Sequence, residues 1–214
     1  MRQTESTLYR RLRQKAVKGG KAPIPQISRL SVRQLPRLPG RPPLGLARIG
    51  IHTLQCAIGA NGIGVKSREG DSLTPIGRHR IEGWTRRPDR WRIFRPDCRP
   101  IFPSQGWCDD SKSWSYNRPI TLPARYGAER LWRDDGLYDL IGLIDYNFRP
   151  RILGKGSAIF LHVAQEDYRP TAGCVAFPAE WLRKIQFLLA PKTQVAFGDI
   201  FVRRSPKIAE PTRI

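Results

Sequence analysis

"LARIGIHTLQCAIGANGIGVKSREGDSLTPIGRHRIEGW", residues 46–84, alternates short apolar stretches with Gly, Asn-Gly, Asp and Pro breakers. That punctuation is the pattern of strands joined by tight turns, and it sets the expectation for the whole chain. Downstream, "LYDLIGLIDYN" (137–147) and "SAIFLHVA" (157–164) are short apolar runs of the length of buried strands, and "QVAFGDIFVRR" (194–204) reads as a closing strand. One segment has helical periodicity, "PAEWLRKIQFLLA" (178–190). Pro178 suits a first helical position there, and Trp181, Leu182, Ile185, Leu188 and Leu189 share one apolar face. Residues 85–135, rich in Trp, Arg, Asp and Pro, read as long ordered loops, the places where binding surfaces are built. The expected fold is mainly β with one principal helix, a single domain over 44–205 and a C-terminal tail over 206–214.

Upstream of that domain the texture differs. Residues 1–43 hold eleven basic residues against the single acid Glu5, about half of the formal net charge of +20, and six prolines. No apolar periodicity extends beyond a short Leu8–Leu12 turn, so a disordered basic tail is expected there. It has no apolar run of the kind a secretory signal requires. The excess of cations invites an anionic partner, but zinc-finger spacing, an aromatic RNA-binding signature and a helix-turn-helix are all missing, which argues against specific nucleic-acid recognition. No stretch approaches the roughly 18–20 apolar residues of a membrane span, so no transmembrane segment is expected. Cys56, Cys98, Cys108 and Cys174 lie far apart with no CxxC pair, which argues against structural zinc. Cys98 and Cys108 could pair in an oxidising compartment or remain free thiols.

The chemistry concentrates in "HVAQEDYRPTAGCVAF", residues 162–177. His162 sits in a strand-like run, and Cys174 follows beyond a polar loop containing Pro170. If the loop folds back, imidazole and thiol meet, and the imidazole can take the proton of a thiol that is otherwise mostly protonated at neutral pH. Gly173 permits a sharp turn that lets its own N–H and that of Cys174 face a developing oxyanion, and the helix near Pro178 adds a positive end. The residues alone leave the alternative of two core side chains open, since free cysteine is among the most buried residue types.

Taken together, "FLHV" (160–163) and "PTAGCVAF" (170–177) resemble the signature of the L,D-transpeptidase catalytic domain (YkuD type), a strand histidine followed by Ser/Thr-x-Gly-Cys. "VKSREGDSLTPIGRHRI" (65–81), "GWCDD" (106–110), "YNRP" (116–119) and "ERLWRDDGLYDLIGLIDYN" (129–147) are similar to an abbreviated branch of that family, so the resemblance runs in order over about residues 45–203. It implies a β-sandwich or barrel and acyl transfer on peptidoglycan stem peptides. Cys174 would attack the L-centre carbonyl of diaminopimelate and release D-alanine. His162 would be general base, oriented by a backbone carbonyl such as that of Val163, and the Gly173 and Cys174 amides would form the oxyanion hole. Thr171, Tyr146, Asn147, Asp109 and Trp132 would be substrate-binding candidates, with Asp110 beside them, although Trp132 and Tyr146 could equally be packing residues. No cofactor or metal is implied. The partners would be tetrapeptide stems and, as a further acceptor, an envelope protein; the compartment would be the periplasm or cell envelope.

Two positions depart from the family pattern: Val163 stands where Gly usually follows the histidine, and Ala176 where Arg lies two residues after the cysteine. Arg169, Arg133 or Arg149 could supply the missing cation. Transfer to an amine would give 3-3 cross-links or protein attachment. Transfer to water would give L,D-carboxypeptidase or endopeptidase activity, and a third reading is a non-catalytic wall-binding module.

Overall fold

The computed structural model describes residues 27, 29–189 and 192–198. In chain order its strands are β1 (Arg29–Gln34), β2 (Leu44–Ile49), β3 (His52–Ala57), β4 (Ile63–Gly64), β5 (Thr74–Pro75), β6 (Gly77–Arg86) and β7 (Arg99–Pro100). Then come β8 (Gln105–Cys108), β9 (Pro119–Thr121), β10 (Ala128–Arg130), β11 (Leu140–Ile144), β12 (Phe160–Val163), β13 (Val175–Phe177), helix α1 (Ala179–Leu188) and β14 (Gln194–Phe197). Among the described residues the mainly β expectation with one helix holds.

The largest sheet runs β11-β12-β13-β3-β2-β1-β14-β6-β7, and a further pairing of β11 with β6 closes eight of these strands into a barrel. Closure rests on a size match. Gly142 of β11 lies opposite Trp84 of β6, and a Cβ at Gly142 would come within 2.9 Å of the Trp84 ring. The indole fills that space, is buried, and donates from Nε1 to the Leu189 carbonyl at 3.1 Å. Leu182, Ile185 and Leu188 of α1 join the same core cluster as Leu30, Val32, Ile49, Val175 and Phe197, so the helix packs on the barrel interior. The β2–β3 hairpin turns through Gly50 at φ +58°, a left-handed position that glycine occupies without penalty.

β12 and β13 pair in parallel, with Leu161 opposite Val175, His162 opposite Ala176 and Val163 opposite Phe177. Because side chains alternate across a strand, Leu161, Val175 and Phe177 enter the barrel core while Phe160, His162, Cys174 and Ala176 point the other way. Over that outer face lies a second small sheet, β10-β8-β9. Its Trp107, with Ile101, Leu131, Tyr138 and Ile141, forms a separate apolar cluster that includes Phe160 and Cys174.

Several boundaries move. Residues 29–34, assigned by composition to the disordered tail, are β1, paired antiparallel with β2 and parallel with β14, and Leu30 and Val32 are fully buried. The folded unit therefore begins before residue 44. Residues 27 and 35–43 of the expected tail are described as well, whereas 1–26 and 28 and the expected tail at 206–214 lie outside the described residues. So does the far end of the closing strand, of which Gln194–Phe197 is seen. Residues 85–135 are more than loops, since they contain β7 to β10. Pro178 caps the helix in extended geometry (φ −51°, ψ 139°) instead of opening it. All four cysteines are buried free thiols, Cys98 and Cys108 included.

If β1 is integral, Leu30→Ala should destabilise the protein by about 2–5 kcal/mol in denaturant unfolding, the cost of emptying a closed core site. Truncation to residue 44 should abolish the cooperative transition.

Candidate active site

The turn before β13 is fixed by its own sequence. Gly173 adopts φ +140°, and a Cβ there would lie 2.8 Å from the Leu73 carbonyl oxygen, so glycine is demanded both by conformation and by space. The Thr171 hydroxyl accepts from the Gly173 N–H at 3.1 Å and donates to the Cys174 carbonyl at 2.7 Å. The Thr74 hydroxyl approaches the same carbonyl at 3.4 Å and accepts from the Gly59 N–H at 2.9 Å. Under the turn, the buried Lys66 ammonium pairs with Asp71 at 2.5 Å and donates to the Leu73 carbonyl at 3.1 Å. The Lys-x-x-Glu-Gly-Asp-x-x-Thr segment is thus a brace beneath the cysteine.

The Cys174 thiol lies between two backbone groups of the preceding segment. Its S–H donates to the Ala158 carbonyl at 3.1 Å and its sulfur accepts from the Phe160 N–H at 3.3 Å. Ala158 itself sits at φ +51°, an unusual conformation for alanine, and is held by Asn117. The Asn117 Oδ1 accepts from the Ala158 N–H at 3.1 Å and from the Trp107 indole at 3.0 Å, while its Nδ2 donates to the Tyr146 and Asn147 carbonyls at 3.1 and 3.0 Å. Asn117 is 3% exposed, and its amide has every hydrogen-bonding position in use. It is a residue that sequence reasoning left without a role, although "YNRP" had drawn attention to its segment.

His162 is buried and bonds through Nδ1 to its neighbour's carbonyl, Val163 O, at 2.8 Å. A carbonyl only accepts, so Nδ1 carries the proton and Nε2 keeps the lone pair. The Tyr138 ring meets the imidazole edge-on at 5.3 Å, and the Tyr138 hydroxyl donates to Glu129 at 2.6 Å. Burial pulls the His162 pKa down to about 4, so the ring is neutral at physiological pH. Burial also pushes the Cys174 thiol up to about 12, with the Glu129 carboxylate adding to the rise and the Phe160 N–H and Lys66 opposing it. The resting pair is a neutral thiol and a neutral base.

Both residues line one cavity of about 680 Å³, with Ala176 beside them. Its wall includes the carboxylates of Glu69, Asp109 and Glu129 and the guanidinium groups of Arg133 and Arg169. Arg133 is paired with Asp135 at 2.5 Å and lies 3.7 Å from Glu129; Arg169 is paired with Asp167 at 2.8 Å. Among the described residues no group of three or more His, Cys, Asp or Glu side chains is arranged to hold a metal ion.

The candidates from the sequence separate here. Thr171 and Asp109 line the cavity with His162 and Cys174, as do Arg133 and Arg169. Tyr146, Asn147, Trp132, Asp110 and Arg149 are not among its lining residues. The Tyr146 hydroxyl donates to the Lys155 carbonyl at 2.6 Å, and the Asn147 amide ties down the 152–156 loop through Ile152 and Gly156. Trp132 lies under the Arg87 guanidinium, 3.6 Å from its ring centre. These three hold the scaffold and do not contact the cavity. The Gly173 N–H, engaged by Thr171, is also not poised for an oxyanion. Glu129 and Tyr138 enter the site unforeseen, because nothing in their spacing says which turn brings them over His162.

A family model described as the L,D-transpeptidase catalytic domain matches residues 47–196. Comparison with curated proteins and with solved structures gave no match.

Two measurements test the thiol's environment. Alkylation of Cys174 by iodoacetamide, followed by peptide mapping, should accelerate about tenfold per pH unit with no plateau through pH 9, because a buried thiol titrates far above the usual range. Asn117→Ala should lower stability by about 2–3 kcal/mol by orphaning two buried donors, and should change the Cys174 alkylation rate at a pH where the variant remains folded.

Proposed function

We propose, for a chain that belongs to the L,D-transpeptidase catalytic-domain family, cysteine acyl transfer on peptidoglycan stem peptides. The observation that carries the reading is the pairing, in one cavity, of the Cys174 thiol with an imidazole whose Nδ1–H is committed to Val163 O, leaving Nε2 as a base.

His162 Nε2 takes the thiol proton as sulfur attacks the L-centre carbonyl of diaminopimelate in a tetrapeptide stem. With thiol and imidazole both neutral at rest, proton transfer accompanies the attack and does not precede it. The oxyanion is met by the Cys174 N–H, the amide of this turn that remains once Gly173 serves Thr171. Collapse breaks the bond to D-alanine, whose amine leaves with the proton from the imidazolium, and a thioester remains. An incoming amine then attacks the thioester carbonyl, His162 accepts its proton, and the thiolate is reprotonated as the new amide forms. Arg133 and Arg169 stand in for the cation that Ala176 does not supply and hold a substrate carboxylate. Such a substrate lies in the cell envelope, and the periplasm is the compartment this reading requires.

Incubation of the full chain with disaccharide tetrapeptide should give a mass increase of the acyl group on Cys174. Cys174→Ala should give none, and His162→Gln should lower the acylation rate by at least roughly two orders of magnitude, the usual scale of general-base loss. Acylation should hold its rate from neutral pH down to about pH 5 and fall below it, since protonation of His162 near its depressed pKa removes the base. No adduct with either tetrapeptide or a carbapenem would overturn the catalytic reading. Cross-linked dimer among the products supports transfer, and free tripeptide alone assigns hydrolysis.

A further inference from the structure

The barrel has a second surface with its own chemistry. In the ring order, β1 lies four strands from β12 in either direction, diametrically opposite the cavity. There the outward positions are occupied by arginine at unusual density. Ser31 of β1 is flanked by Arg29 and Arg33, faces Arg48 of β2 on one side, and on the other faces Ala196 of β14, which in turn faces Arg78 of β6. Arg80, two residues on, faces Gln194. All of these arginines are exposed, and the partners between them are short or neutral.

Like charges on neighbouring strands repel. Among the described residues no carboxylate lies in ion-pair range of the Arg33, Arg48 or Arg78 guanidinium, while the Asp145 carboxylate accepts from the Arg80 backbone N–H at 2.7 Å. By contrast, Arg87, Arg95, Arg133 and Arg169 elsewhere each hold an aspartate within 2.9 Å. The face also has a concavity of about 320 Å³ lined by Ser31, Arg33, Leu46, Arg48 and Thr53, where two guanidinium groups flank two hydroxyl-bearing side chains. Guanidinium groups bind phosphate oxygens in pairs, which ammonium groups do not.

We infer that this β2–β1–β14–β6 face docks the protein on an anionic phospholipid surface, with lipid phosphates at Arg33, Arg48 and Arg78. Two features favour a planar surface over a linear polymer. The arginines lie on three strands of this four-strand face, β2, β1 and β6, as a two-dimensional array and not along one line. At its edge, the β2–β3 hairpin projects Ile51, 94% exposed, which enters the headgroup boundary as a small apolar anchor. Docked this way, the catalytic cavity on β12 and β13 faces away from the lipid. The inference is independent of the reaction proposed above.

Co-sedimentation of the full chain with vesicles tests it, using phosphatidylcholine alone against a phosphatidylcholine–phosphatidylglycerol mixture at about 0.1 M salt, where charges beyond about 10 Å are screened. Binding is expected to the mixture only. Arg33→Gln, Arg48→Gln and Arg78→Gln together should weaken it on the order of 100-fold, at roughly fivefold per basic residue near the surface. Lys112→Gln, Arg125→Gln and Arg130→Gln remove the same charge elsewhere and should leave most of the binding intact. Ile51→Ser, which changes no charge, should weaken it further by a few-fold. Equal losses in the two triple variants would reduce the effect to net charge and overturn the inference. So would an unchanged vesicle affinity in the first triple variant, or a loss confined to duplex DNA.

Discussion

The parallel pairing of β12 with β13 is the constraint on which the site depends. A strand has two faces, and these two strands use them for opposite purposes at the same register. Leu161, Val175 and Phe177 commit one face to the barrel interior, so the register cannot slip by one residue without exposing all three. The other face then has no choice but to present Phe160, His162, Cys174 and Ala176 together. The base and the thiol arrive in one cavity because the apolar residues between them are buried, not because the loop joining them is informative.

Holding a thiol on such a face sets an electrostatic problem. The cavity wall and the β8–β10 layer exclude water well enough that the neutral forms of both His162 and Cys174 win. The sulfur's hydrogen-bond partners among the described residues are backbone groups, the Ala158 carbonyl and the Phe160 N–H, and they hold its position more than its charge. The positions of those groups trace back through Ala158 to Asn117, whose saturated amide ties Trp107, Ala158 and the Tyr146–Asn147 turn into one rigid block. That explains how "GWCDD", "YNRP" and "LIDYN", distant in sequence, serve a cysteine that none of them contains.

Legibility followed the same physical lines. The strands after residue 44 and the helix after the cysteine were readable because alternation and turn residues report them directly, and one compact motif carries both His162 and Cys174, which line one cavity. β1 was not: "RLSVRQ" does alternate, with Leu30 and Val32 inward, but its outward arginines matched the basic, proline-rich stretch around it. Composition outweighed a period of two that spans only six residues. Tyr146, Asn147 and Trp132 lie outside the cavity lining, and their sequence left this open for a related reason, since polar aromatic and amide side chains suit a substrate and a turn equally well. Only the fold decides, and it spends Asn147 on the Ile152 and Gly156 carbonyls. Glu129 and Tyr138 could not be found at all, because their approach to His162 depends on how the small sheet folds over the barrel.

The outward arginines that hid β1 also separate two jobs that one barrel can do at once. A closed ring of eight strands has no free edge within it, so its two opposite outer faces are coupled only through the packed core. Charge on the outward positions of β1, β2 and β6 points into solvent, where salt screens it over about 10 Å at 0.1 M, on the side of the ring away from β12 and β13. The cavity keeps its own mixed set of three carboxylates and two arginines, while on the opposite face Arg33, Arg48 and Arg78 have no carboxylate in ion-pair range among the described residues. In a chain of net charge +20 this division matters, because a uniformly basic surface would draw anions to the thiol as readily as to the back of the barrel. Pairing Arg133 and Arg169 with aspartates at the front, and leaving Arg33, Arg48 and Arg78 without such partners behind, gives the molecule an orientation as well as a charge.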